Sequence, residues 1–318
     1  MKLKPKRLLT WFKHFVYRCD PRATAMIGVT YFCQCNCLHC AMANYPKDKE
    51  RELSKNELIE IINKFPRNKI KGVYFFGGEP LLRNDIFELI SSARKRGFRT
   101  ILDTNACLLD QETAKKLKKA GLKIISVSID SPYSQIHNAL RKKKNLFEKA
   151  INGIKYCLTE KITCGLSTYA TKENLKNGDL KKIISLGKKL GVNYIRILPP
   201  LPLGKWCNKR EIELSDQENL LFEKFRQLGF VELEGDKCPT IKKRYFYISP
   251  YGEIQPCCYI PFSFGNIKRE LMEKILKRMW KHPMLNMKIK KACLADNKEF
   301  QKKYFSQITP STKLPIEL

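Results

Sequence analysis

The strongest constraint on this 318-residue chain is a regular alternation of two patterns across residues 26–198. Short apolar, β-branched runs at 26–31, 73–76, 100–103, 124–129, 165–169 and 194–198 have the length and composition of strands. Between them, residues 55–64, 85–95, 111–120, 146–158 and 179–190 carry helical patterns. Gly97, Gly121 and Gly191 each stand just past a helical segment with basic residues near its end, where a glycine stop belongs. Six strands joined by helical crossovers predict a parallel sheet with helices outside it. Six units are too few for a closed eight-fold barrel. The expected fold is therefore α/β, a curved and partly open (β/α)6 barrel, and a chain that is 43% hydrophobic can fill its core.

Beyond residue 198 the alternation stops. Pro199-Pro200-Leu201-Pro202-Leu203-Gly204 reads as a rigid exit segment, followed by a helical pattern at 215–227. Irregular turns and clustered cysteines begin near Cys238, which predicts a small second domain stapled by metal rather than by a large core. The expected division is a basic N-terminal segment (1–22), the barrel (23–200), a linker and helix (201–236), the cysteine-rich domain (237–300) and a tail (301–318). In the first segment Leu8, Leu9, Trp11, Phe12, Phe15 and Val16 form an apolar stripe among basic residues. Such a helix either docks on the barrel or makes peripheral contact with an anionic membrane surface. No apolar run is long enough to span a bilayer, and Lys13 and His14 break the pattern of a signal peptide. The expected location is the cytoplasm, with the inner membrane surface as the alternative.

In a reducing compartment, closely spaced cysteines are metal ligands or catalytic groups before they are disulfides, and this chain has 13. Its 61 basic and 31 acidic residues give a net charge of +30, which favours an anionic partner such as an anionic substrate or an acidic peptide. The lysines are spread along helix faces, as at Lys115, Lys116, Lys118 and Lys119, and no aromatic residues interleave with them. Dedicated nucleic-acid binding is not expected.

Directly after the first strand, Cys33, Cys37 and Cys40 are spaced so that one short loop can wrap three corners of a cubic iron–sulfur cluster. Three thiolates leave one iron without a protein ligand, as a reactive metal site requires. A zinc site, or an all-protein cluster using Cys35 as fourth ligand, remains open on this loop alone. The second strand then runs into Phe76-Gly77-Gly78-Glu79-Pro80. The three-cysteine loop followed by this turn resembles the radical S-adenosylmethionine (SAM) superfamily. The resemblance implies a catalytic [4Fe–4S] cluster on Cys33, Cys37 and Cys40, and SAM bound at Gly77, Gly78, Glu79 and Pro80. Two glycines permit close backbone approach, and with the Glu79 carboxylate they can hold the SAM ammonium, while Pro80 fixes the turn.

Other positions similar to the family close later strands. Thr104 and Asn105 end the third, Ser128 and Asp130 the fourth, and Ile197-Leu198 the sixth, where Leu198 resembles the apolar wall against adenine. Thr168 and Asn174 flank the fifth strand. His39 replaces the usual aromatic residue before the last cysteine, either packing over the loop or acting chemically. His137 and Arg141 fit the pattern after the fourth strand, except that Lys142 stands where a glycine usually follows. Cys238, Gly252 and Cys257 resemble the opening of the SPASM and twitch extensions, which implies an auxiliary [4Fe–4S] cluster. A strand at 245–248, a turn at 250–252 and a return at 253–255 predict a hairpin that brings Cys257 back towards Cys238. Cys293 completes three ligands, and Cys258 is the best fourth candidate, although adjacent cysteines rarely face one cluster. Zinc or unligated thiols remain the alternative here. Cys19, Cys107, Cys157, Cys164 and Cys207 are expected to pack, with Cys107 alternatively a hydrogen-atom donor.

The family chemistry is reduction of the cluster by one electron, homolysis of the SAM sulfonium bond, and hydrogen abstraction by the 5′-deoxyadenosyl radical. A reductase such as a flavodoxin or ferredoxin is the implied partner. Peptide modification or maturation is the first expectation for the substrate, with small-molecule, tetrapyrrole or lipid biosynthesis as the alternative. A non-catalytic iron–sulfur or zinc scaffold is the rival of another class.

Overall fold

The computed structural model describes residues 22–225, 228, 230–233, 238–287 and 293–318. The N-terminal amphipathic stripe and Cys19 lie outside the described residues. In chain order the barrel elements are β1 (Ala23–Thr30), α1 (Lys55–Lys64), β2 (Ile70–Gly77), α2 (Ile86–Lys95), β3 (Arg99–Thr104), α3 (Gln111–Ala120) and β4 (Ile124–Ser128). They continue with α4 (Ser134–Arg141), α5 (Leu146–Thr159), β5 (Thr163–Tyr169), α6 (Lys172–Lys176), α7 (Asp179–Leu190) and β6 (Tyr194–Leu198). All six expected strands are present, some extended at either end, and α4 and α6 are additions to the expected helices.

Local chemistry explains the boundaries. Ser54 and Glu57 form a reciprocal capping box at the start of α1. Asp110 caps α3 by accepting from the Thr113 N–H, and Gly121 ends that helix in the left-handed conformation at φ 94°. The strands carry two kinds of residue in alternation. On β6, Ile195 lies against Gly187 of α7, so Tyr194, Arg196 and Leu198 face the barrel interior. Ile125, Val127, Leu166, Ile195 and Ile197 are all completely buried, each contributing roughly 1.5–3 kcal/mol of apolar burial. Inward positions are instead polar or small. The Ser126 and Tyr194 hydroxyls lie 2.8 Å apart, and the Tyr194 ring fills the space that a side chain at Gly165 would need.

Residues past 198 are less separate from the barrel than the sequence suggests. The main sheet runs β7-β6-β5-β4-β3-β2-β1-β8-β9, where β7 is Val231–Leu233, β8 is Tyr245–Ile248 and β9 is Ile254–Gln255. β7 adds a parallel strand beside β6, and β8 pairs parallel with β1 on the other side. Eight parallel strands therefore replace the six expected. β8 and β9 do form the expected hairpin, with Tyr247 opposite Gln255. The helix expected at 215–227 is α8 (Asp216–Lys224), capped by Ser215. β10 (Phe262–Ser263), α9 (Met272–Lys281), α10 (Lys298–Tyr304) and β11 (Ile316–Glu317) complete the C-terminal part. One contiguous apolar core joins Ala25 and Ile27 of β1 to Phe246, Phe262 and Phe300. Among the described residues no helix is long and apolar enough to cross a membrane.

Candidate active site

The cysteine loop leaves the C-terminal end of β1 and is held from three directions. The turn after β2 supplies the first. The Gly78 N–H donates to the Thr30 carbonyl at 2.7 Å, and the Glu79 N–H donates to the Phe32 carbonyl at 2.9 Å. A β-carbon at Gly77 or Gly78 would sit 2.3 or 2.1 Å from those same oxygens, so both glycines are required for the close approach. Helix α4 supplies the second, with the Asn36 N–H donating to the Arg141 carbonyl and the Leu38 N–H to the Leu140 carbonyl. The exit segment supplies the third. It folds back so that the Lys205 N–H donates to the Cys40 carbonyl at 3.1 Å, and Gly204 lies where any side chain would strike that oxygen.

Within the loop the cysteines divide into two kinds. The Cys35 thiol lies between Cys33 and Cys37, and its hydrogen bonds to them lower both of theirs, that of Cys37 to about 7. Those contacts push Cys35 itself upward, while burial raises Cys40. The Asn105 side-chain amide donates to Cys33 Sγ at 3.4 Å. Cys35 and Cys107 pack with Leu146; Cys35 also lines the cavity in front of the loop, whereas Cys107 does not, unlike the hydrogen-donor reading.

That cavity, about 210 Å³, is lined by Cys33, Cys37, Cys40, Gly77, Gly78, Asn105, Ser128, Asp130, Arg196 and Leu198. The structure thus gathers nine of the expected site residues and adds Arg196. Glu79 and Pro80 are not among its walls. The protein itself braces the Glu79 side chain. The Glu79 carboxylate is fully buried and accepts from the Thr104 hydroxyl at 2.7 Å, the Asn105 N–H at 2.8 Å and the Leu81 N–H at 3.1 Å. Burial raises its carboxyl to about 7 despite those donors. Asn174 is similarly occupied, capping α6 and donating to the Tyr169 carbonyl.

Asp130 ties the end of β4 to helix α4 and to the cysteine loop. Its Oδ2 accepts from Arg141 Nε at 2.6 Å and lies 3.4 Å from His39 Nε2. Burial alone would raise this carboxyl, but Arg141, His39 and His137 hold it well below the usual range. Burial lowers His39, whose ring packs between Tyr169 and Trp206, which favours the packing role. Deeper in the barrel, Asp103 accepts from Tyr74 and Arg196, and Arg196 also donates to Ser167. A buried ion pair adds little net stability, so this network's value lies in fixing the cavity floor. Arg196 was not singled out from sequence. The signal was there, because a charge at the centre of Tyr-Ile-Arg-Ile-Leu is out of place in a parallel strand buried on both faces. Lys47 and Lys205 at the rim carry no comparable signal in the sequence.

Cys238, Cys257, Cys258 and Cys293 line one smaller cavity together, so adjacency does not keep Cys258 away. Leu198 and Tyr259 line both cavities, which makes them a shared wall. Burial raises the Cys257 and Cys293 thiols well above their ordinary value.

A three-thiolate iron–sulfur cluster calls for soft sulfur donors, hydrogen bonds to sulfur, and room with unfilled polar groups beside the open iron. The loop supplies the thiols and the Asn105 donor. Asp130 Oδ1 and Asp103 Oδ1 are buried acceptors without a partner, on residues that line the void. Among the described residues no three His, Cys, Asp or Glu side chains converge as a single ion would need. The donor set fits a cluster and a polar co-ligand.

Comparison with known proteins agrees. The family model of the radical SAM superfamily matches residues 27–187, and the SPASM model, an iron–sulfur cluster-binding domain, matches 238–302. AdoMet-dependent heme synthase of Nitratidesulfovibrio vulgaris is 26% identical over 285 residues, covering 79% of this chain and 77% of that one. Fe-coproporphyrin III synthase of Methanosarcina barkeri is 30% identical, covering 71% of this chain and 56% of that one. Streptococcus suis SuiB bound to its precursor peptide SuiA superposes with a TM-score of 0.69 at 15% identity, over 98% of this chain and 81% of that one.

Proposed function

Because the chain belongs to the radical SAM superfamily and carries a SPASM iron–sulfur domain, we propose that it abstracts hydrogen from an anionic, carboxylate-bearing small molecule, with tetrapyrroles as the first class. The observation that carries this is the charge of the cavity. Lys47, Arg141, Arg196 and Lys205 line it against Asp103 and Asp130. Arg141 and Arg196 are paired with those two acids, whereas Lys47 and Lys205 at the rim form no salt bridge with an acid among the described residues. Carboxylates of a substrate would meet that excess. The curated relatives named for heme and Fe-coproporphyrin III support the same class. Peptide modification rests on likeness of fold alone.

When bound, the cluster and SAM supply reductive cleavage of the sulfonium bond and a 5′-deoxyadenosyl radical. The chain's residues do the rest. Cys33, Cys37 and Cys40 would ligate the cluster, Asn105 orients Cys33, and Gly77 and Gly78 hold the loop against β2. Ser128, Asp130 and Leu198 offer polar and apolar surfaces for SAM, and Cys238, Cys257, Cys258 and Cys293 would hold the auxiliary cluster. A low-potential reductase, a flavodoxin or ferredoxin, would deliver the electron.

After anoxic reconstitution, dithionite-dependent 5′-deoxyadenosine formation is expected to rise at least severalfold with iron coproporphyrin III. Ala at Cys33, Cys37 or Cys40 should abolish it, and Cys35→Ala should keep most of it. Lys47→Glu with Lys205→Glu should raise KM more than it lowers kcat. Stimulation by peptides but not by carboxylated tetrapyrroles would overturn the substrate assignment, and loss of activity only in Cys35→Ala would overturn the ligand assignment.

A further inference from the structure

The cysteine loop turns one side to the cavity and the other to solvent. On the solvent side Leu38 is 43% exposed, Asn36 is exposed at the edge of the cavity, and Cys33, Cys37 and Cys40 are partly buried. Helix α4 lies against this outer side through the two backbone hydrogen bonds from Asn36 and Leu38. Its polarity is inverted. His137 and Arg141 are its buried residues, whereas Ile136 is 47% exposed and Tyr133, just before it, 44%. Leu108, at 41%, follows Cys107, which packs against Cys35 of the same loop. Of the nine large apolar side chains exposed among the described residues, four are Leu38, Leu108, Tyr133 and Ile136. Such concentration marks a contact surface, whereas single exposed apolar residues need no explanation.

Charge surrounds the patch. Lys142, Lys143 and Lys144 join α4 to α5, and Lys149 follows on α5. The acids nearby are Glu148, Asp110, which caps α3, and Glu112, which pairs with Lys116. An apolar centre with a basic rim suits a small, transient, electrostatically steered interface.

We propose that this face, formed by Leu38, Leu108, Tyr133, Ile136 and the Lys142–Lys144 run, is the docking surface for an acidic one-electron carrier protein. The proposal rests on the reading that the loop holds the reducible cluster. Docked there, the carrier meets the cysteine loop at Leu38, which is exposed and does not line the cavity. One electron leaves the carrier, which is oxidised, and enters the cluster, which is reduced, with no bond or proton transferred.

An acidic flavodoxin serves as the probe. Titration calorimetry of the oxidised flavodoxin with the full chain should give a Kd that weakens at least tenfold in the Lys142→Glu, Lys143→Glu, Lys144→Glu variant and with added salt. Ile136→Ser should weaken it severalfold without changing charge. Flavodoxin-driven SAM cleavage should slow in parallel, while dithionite-driven cleavage is unchanged. Unaltered binding and flavodoxin-driven rates, in either variant or across salt, would overturn the docking surface. Absence of dithionite-driven cleavage in the wild type would overturn the reading of the loop itself. Should the triple variant lose its dithionite-driven rate through misfolding, Ile136→Ser and the wild-type salt dependence decide the matter.

Discussion

Glu79 shows how one residue's neighbours decide what its chemistry is for. Its carboxylate sits in full burial with three donors, and burial still wins, raising its carboxyl from 4.5 to about 7. Between pH 4.5 and 7 the unfolded chain has released this proton while the folded chain retains it. The folded state binds more protons across that window, so stability falls as pH rises through it, by about 3 kcal/mol at most. Burial lowers His39 and His137, which pushes stability the other way across the same window, so the decline is read as the difference between the wild type and Glu79→Gln in denaturant unfolding from pH 4.5 to 7.5. Gln supplies one acceptor oxygen where three donors converge, so the variant should also be less stable by about 1–3 kcal/mol. A difference between wild type and Glu79→Gln that stays flat or rises over that range would show that Glu79 is ionised when folded. The motif around Glu79 is legible in sequence, but its partners are not, because Thr104 and Asn105 arrive from a neighbouring strand. For the same reason Lys47 and Lys205 stay hidden. A long loop and a folded-back exit segment carry them to the rim.

At the scale of elements, helix α4 holds the site together, and it is the element that the sequence hides best. It has eight residues, no side-chain cap at Tyr133, and buried polar residues where an apolar stripe would be sought. The longer helices with apolar faces are read with nearly their true ends, because periodicity and caps agree. Arg141 is the pin of α4, with its guanidinium on Asp130 and its carbonyl on the Asn36 N–H. Arg141→Ala leaves Asp130 buried without its guanidinium partner and with only the imidazoles of His39 and His137 beside it, a loss of roughly 3–5 kcal/mol. The variant should melt well below the wild type and retain less iron on the cysteine loop after gel filtration. Arg141→Lys should restore little, since an ammonium lacks the guanidinium's planar fork. A Lys variant with wild-type stability and iron content would mean that charge alone, without that geometry, supports the loop.

For the whole molecule, the strand order sets how the two cysteine sites depend on each other. Two separate modules were the natural expectation, since Pro-rich sequence and irregular turns divide them. Nothing in Tyr245–Ile248 announces which strand it will meet, because parallel partners distant in sequence share no turn signal. The structure pairs it with β1, the strand that leads into the catalytic loop. Every residue of β1 is buried, and removing β8 would expose its backbone donors and acceptors as a new edge beside apolar side chains. A chain ending at residue 237 should therefore not behave as a free-standing barrel. It should elute as aggregate on size exclusion and hold little iron after reconstitution, although all three cysteines of the catalytic loop are present. A full-length variant with Ser at Cys238, Cys257, Cys258 and Cys293 separates covalent continuity from metal binding. It keeps β8 in place, so it should remain monodisperse and retain close to four irons, one cubic cluster, on the first loop. If the truncated chain were soluble with a full catalytic cluster, β1 would tolerate an open edge and the barrel would be independent after all.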